Sequence, residues 1–201
     1  MRKKFPIIVL SLIVGLSGCN RAHRPVAPDI RPEEYDAISG YLAYRFTGYE
    51  KNHEKLIFFN MTESENDDAT PFKGTPFKPG PWQQTADFLR QQAPLLQQTT
   101  IDSYRKANTQ QAFVSRSFHS PIDYKLVDSA ERESYNQRGW PNANEVMTWS
   151  RVGFSADGTQ ALFYETNHFG RLNSNSRYIV IEKENGSWTI KKEIRGWDVE
   201  E

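Results

Sequence analysis

The sequence predicts an α+β fold, with helices from the first half of the chain packed on one face of an antiparallel sheet that ends in a C-terminal β-meander. Three observations carry this expectation. From Trp149 to Trp197, short apolar runs are separated by Asp157-Gly158 and Asn185-Gly186. Such pairs are strong short-range hairpin signals, because Gly accepts positive φ and Asn and Asp tolerate it. Upstream, two stretches repeat apolar residues at three- and four-residue steps, the helical period. The chain has 201 residues, 13% of them aromatic, enough for one sizeable core.

Taken in order, Tyr35, Ile38, Leu42 and Phe46 line one face of a helix opened by Arg31-Pro32, since proline fits the first helical turn. Leu56 to Met61 is short, apolar and partly aromatic, a buried strand. Thr62 to Pro81 is acidic, then rich in Pro, Gly and Lys. It reads as a long surface loop and, with Phe72, Phe77 and Trp82, as a candidate binding surface. From Trp82 to Asn108, Leu89, Ala93, Leu96, Thr100 and Tyr104 keep a near-helical repeat. Pro94 lacks the backbone donor, so two helices or a kink are expected. Ala112-Phe113-Val114 and the alternation of Ile122, Tyr124 and Leu126 return to strand. Ser129 to Asn144 is polar and reads as a short helix or irregular crossover turning at Trp140-Pro141. The meander core is expected from Trp149, Phe154, Phe163, Tyr178, Ile179, Ile181, Trp188 and Ile190.

The N-terminus carries a different signal. Arg2, Lys3 and Lys4 precede an apolar run too short to cross a bilayer comfortably, followed by small residues. Residues 1–18 therefore read as a cleaved signal peptide. Leu16-Ser17-Gly18-Cys19 resembles the lipobox of bacterial lipoproteins. That resemblance implies cleavage before Cys19, diacylglycerol on its thiol, and the membrane as a partner through lipidated Cys19. Two acyl chains on one residue meet the requirement for stable anchoring. Cys19 is also the single cysteine, which leaves the mature domain without a disulfide or thiol nucleophile. Residues 19–32 hold three prolines and read as the lipidated cysteine and a flexible tether, residues 33–201 as a single α+β domain. In the sorting logic of Gram-negative lipoproteins, Asn20 after the cysteine implies an outer-membrane address facing the periplasm.

Thr100-Ile101-Asp102-Ser103-Tyr104, Tyr124-Lys125-Leu126, the block Ser150 to Tyr164 and the closing Glu182 to Ile190 occur in that order. This resembles a group of uncharacterised bacterial secreted and lipid-anchored proteins sharing an S-R-V-G-F-x-x-x-x-T-Q-A-L block and a Gly-x-Trp final hairpin. The resemblance implies a common fold and no activity. The chain departs from the group in having no cysteine pair between its last strands, so a looser loop is expected around Asn167 to Asn175.

Few residues carry chemistry. There is no G-x-S-x-G, and the four histidines (23, 53, 119 and 168) are scattered without metal-ligand spacing. Gly-rich phosphate loops are absent, so no cofactor is expected. The whole chain balances 25 basic against 25 acidic residues, and without Arg2, Lys3 and Lys4 it becomes slightly acidic, which gives no electrostatic case for nucleic acid. Three residues stand out as candidates for a functional surface: Arg151, Glu165 and His168. Glu165 and His168 are close enough in sequence to pose as a general acid/base pair. Arg151, in a strand pattern beside Gly153, reads first as half of a buried Arg–carboxylate pair and second as an anion-binding group, with Gln160 able to approach it across the Asp157-Gly158 turn. Gly153 signals a bulge or a close backbone approach. The expected function is a lipid-anchored cell-envelope protein that binds an envelope protein or another component without catalysis. A small periplasmic hydrolase using Glu165 and His168, or a small-ligand-binding domain, are the competing readings.

Overall fold

A computed structural model describes residues 28–48, 56–62, 82–115, 118–128, 130–131, 145–169 and 173–199. The expected signal peptide, Cys19, Asn20, nearly all of the stretch 62–81 expected as a loop and the turn expected at Trp140-Pro141 lie outside the described residues. The helices are α1 (Pro32–Arg45), α2 (Trp82–Gln92) and α3 (Gln98–Ala107). The strands are β1 (Leu56–Phe59), β2 (Tyr124–Val127), β3 (Glu145–Trp149), β4 (Gly153–Phe154), β5 (Gln160–Phe169), β6 (Asn173–Glu184) and β7 (Ser187–Val199). They form one mostly antiparallel seven-stranded sheet in the order β2-β1-β3-β5-β6-β7, with β4 pairing β5.

Two features of the expected arrangement are corrected. The sheet is mixed, because β1 runs parallel to both β2 and β3. Parallel neighbours need long crossovers, and the chain from β1 to β2 supplies one that contains α2 and α3. The helices also occupy both faces. Ile38, Tyr41 and Leu42 of α1 pack with Phe58, Trp149, Ala161, Phe163, Ile179 and Ile181. Leu89 of α2 and Ile101 and Tyr104 of α3 pack with Leu162, Tyr178, Val180 and Ile194. The reason is visible in β5 and β6: A-L-F-Y and Y-I-V-I are apolar at consecutive positions, the pattern of strands covered on both sides.

Local chemistry explains the rest. Pro94 ends one helix and the chain restarts at Gln98, giving two helices. Asn185 and Gly186 both have positive φ, 52° and 84°, as a type I′ hairpin requires. The β5–β6 ladder continues to the pairs Asn167–Asn175, His168–Ser174 and Phe169–Asn173, so 167–169 and 173–175 are strand where a looser loop was expected. Ala112 to Val114 makes isolated bridges through Phe113 to Asp29 and Met61 in place of a strand. Ile30 is buried, and its N–H donates to Phe113 O at 3.1 Å, so the last residues of the expected tether belong to the folded body. Of the expected core, Trp149, Phe163, Tyr178, Ile179, Ile181 and Trp188 are buried, while Phe154 and Ile190 are partly buried against it. No helix among the described residues is long and apolar enough to cross a membrane.

Candidate functional site

Arg151 sits in a defect of the ladder. Trp149 pairs with Glu165 and Gly153 with Leu162, which leaves three residues on one side and two on the other: a β-bulge at Arg151-Val152. A bulge takes backbone groups out of the ladder, and here side chains from two helices receive them. Val152 N–H donates to Glu34 Oε2 at 3.0 Å, Arg151 N–H donates to Asn108 Oδ1 at 2.8 Å, and Asn108 Nδ2 donates to Arg151 O at 3.0 Å. Arg151 Nη2 reaches Glu34 Oε1 at 2.6 Å, and Arg31 Nε reaches the same oxygen at 3.0 Å. Glu34 is 0% exposed. Burial pushes its carboxyl up, but the hydrogen bonds from Arg151, Val152 and Arg31 outweigh burial and hold it below the usual carboxylate range. The guanidinium is thus committed to a buried carboxylate, the architectural one of its two expected roles.

The rest of the S-R-V-G-F and T-Q-A-L block is architectural in the same way. Ser150 Oγ accepts Tyr164 N–H at 2.8 Å and donates to Arg151 O at 3.0 Å. Gly153 lies so close to α3 that a Cβ there would stand 2.2 Å from Tyr104 N. Phe154 N–H donates to Ser103 Oγ at 3.0 Å. Gln160 does not approach Arg151. Its Oε1 accepts Gln97 N–H at 2.8 Å and Thr100 Oγ1 at 3.0 Å, while its Nε2 donates to Leu95 O at 3.1 Å and Glu182 Oε1 at 2.8 Å. All four hydrogen-bonding positions of the amide are used, and they hold the α2–α3 link on β5. The segments Thr100 to Tyr104 and Ser150 to Gln160 therefore meet at one junction.

Glu165 and His168 do not converge. The β5–β6 register is unbroken from Gln160 to Phe169, so residues three apart point to opposite faces. Glu165 lies on the α1 face, where Arg45 donates through Nη1 to Glu165 and through Nη2 to Glu145. Arg177, its cross-strand partner, stands with Nε 3.5 Å from Glu165 Oε1. Arg45 Nη1 also donates to Tyr41 Oη at 2.9 Å. Burial, then the charge of Glu165, pushes the Tyr41 phenol well above its ordinary range. Burial works against the Arg45 charge, but Glu165, Tyr41 and Glu145 outweigh it and hold the guanidinium protonated.

Arg45, Glu145 and Arg177 were not legible as partners of Glu165 in the sequence. The one available signal was register, because a β5–β6 hairpin of known turn places Arg177 opposite Glu165. Two buried ion-pair centres thus fix α1 on the sheet, an acid near its N-terminus and a base in its last turn, each also favoured by the helix dipole. Among the described residues no group of three His, Cys, Asp or Glu side chains is placed to hold a metal ion. No family model, curated protein or solved structure matches this chain.

Proposed function

We propose that the protein is a lipid-anchored cell-envelope component, held by acylated Cys19, whose folded domain binds an envelope partner and carries no catalysis of its own. The observation that carries the reading is the lipobox-like Leu16 to Cys19, with the chain's single cysteine at the acylation position behind a bounded apolar run. What supports the non-catalytic half is the fate of the polar candidates. Arg151 is consumed by Glu34, Glu165 by Arg45, and His168 faces away from Glu165. Acid/base chemistry needs two groups that reach one substrate atom, and these do not. With Asn20 after the cysteine, a Gram-negative source places the anchor in the outer membrane, facing the periplasm. Crosslinking in intact envelopes followed by affinity capture tests the binding role. A stoichiometric partner that is lost when residues 62–81 are replaced supports it. Recovery of the bare protein under every crosslinker contradicts it.

A further inference from the structure

Trp149 Nε1, Glu165 Oε2 and Asn167 Oδ1 are buried side-chain atoms with no hydrogen-bond partner among the described residues. Their side chains are neighbours. Trp149 pairs with Glu165 across β3 and β5, Asn167 follows two positions later on the same face, and Asn167 Nδ2 donates to the other oxygen of Glu165. The residues are 2%, 0% and 0% exposed, so bulk solvent does not satisfy them, and buried polar groups in folded proteins are almost always satisfied. The set is one donor and two acceptors. Its complement is a group that accepts one hydrogen bond and donates two.

We propose that these three atoms line a binding site for one small neutral polar group, a water molecule or the primary amide of a small ligand. Neutrality follows from the surrounding charges. Arg45 and Arg177 balance Glu145 and Glu165, so an added ion would sit beside two like charges of either sign. A buried water making about three hydrogen bonds to otherwise unpaired groups is the commonest occupant of such a place.

The test is a crystal structure of the purified protein at a resolution that shows ordered water, paired with water-to-indole NOE measurement on the Trp149 Nε1–H, assigned by loss of its peak in Trp149→Phe. One isolated peak within about 2.6–3.2 Å of all three atoms, with a water NOE to the indole, supports the site with water as occupant. Density continuing through bonded atoms, without that NOE, supports it with a ligand amide. Trp149 Nε1 donating directly to Glu165 or another protein group, with nothing between the three atoms, overturns the proposal. The outcome is independent of whether Cys19 is acylated.

Discussion

Replacing Glu34 by glutamine removes one charge from a fully enclosed position and changes little else in size. The carboxylate accepts hydrogen bonds from Arg151, Arg31 and Val152. Glutamine keeps one acceptor oxygen and turns the other into a donor that must face donors. Arg151, whose side chain is 12% exposed, loses its counter-charge in a place water barely reaches. Breaking one side of a buried pair costs about 3–5 kcal/mol. At roughly 2–4 °C per kcal/mol for a chain of this size, a loss of about 3 kcal/mol lowers the midpoint by about 6–12 °C.

Glu33→Gln is the internal control, because the Arg31–Glu33 pair is 48% and 52% exposed and such pairs contribute at most about 1 kcal/mol. The pH dependence has a fixed sign. A lowered native pKa means the contribution is present above the ordinary value of 4.5 and is lost as pH falls through the native value. Wild type should therefore lose stability below pH 4.5, and Glu34→Gln should lose that part of the acid limb. Urea and thermal unfolding by far-UV circular dichroism, run across this range, measures both effects. Equal midpoints for Glu34→Gln and Glu33→Gln would refute the reasoning.

Other outcomes follow from the same geometry. Arg45→Met leaves Glu145 without its guanidinium partner and Glu165 with Arg177 alone and should destabilise by about 3–5 kcal/mol in urea titration, with Arg45→Lys recovering only part because an ammonium lacks the planar fork that spans the two carboxylates. Gly153→Ala drives a Cβ into the Tyr104 backbone and should cost about 1–3 kcal/mol or more, whereas Gly158→Ala, at φ +70° with nothing within 4 Å, should cost only about 1–2 kcal/mol of backbone strain; the same unfolding experiment ranks them. Gln160→Leu strands the Gln97 N–H and should lower stability by about 1–3 kcal/mol. His168→Ala should leave the rate of p-nitrophenyl ester hydrolysis equal to wild type, and a drop would contradict the non-catalytic reading.

Much of the fold was readable because its signals are local. Asn185 and Gly186 both have positive φ in their turn and Gly158 has it in the other, Pro94 divides a helical repeat, and Tyr35 to Phe46 shows one buried helical face. Parallel pairing of Leu56–Phe59 with Tyr124–Val127 and Glu145–Trp149 has no local signal, because nothing near a strand records a neighbour far along the chain. The second helical face was legible in principle, in the consecutive apolar residues 161–164 and 178–181. Of the candidate site, Arg151 and Gly153 were readable as architecture, since a strand-borne Arg beside a Gly implies burial and close approach. The Arg45 centre was not, because it joins the last turn of a helix to two strands whose register the sequence does not state.

The anchor at Cys19 is the claim on which the proposed role rests. Growing cells that express wild type and Cys19→Ala with labelled palmitate, then fractionating the envelope, tests it most directly. The account predicts label and membrane association in wild type, with neither in the variant. Equal labelling of both, or unlabelled wild type in the soluble fraction, would contradict it.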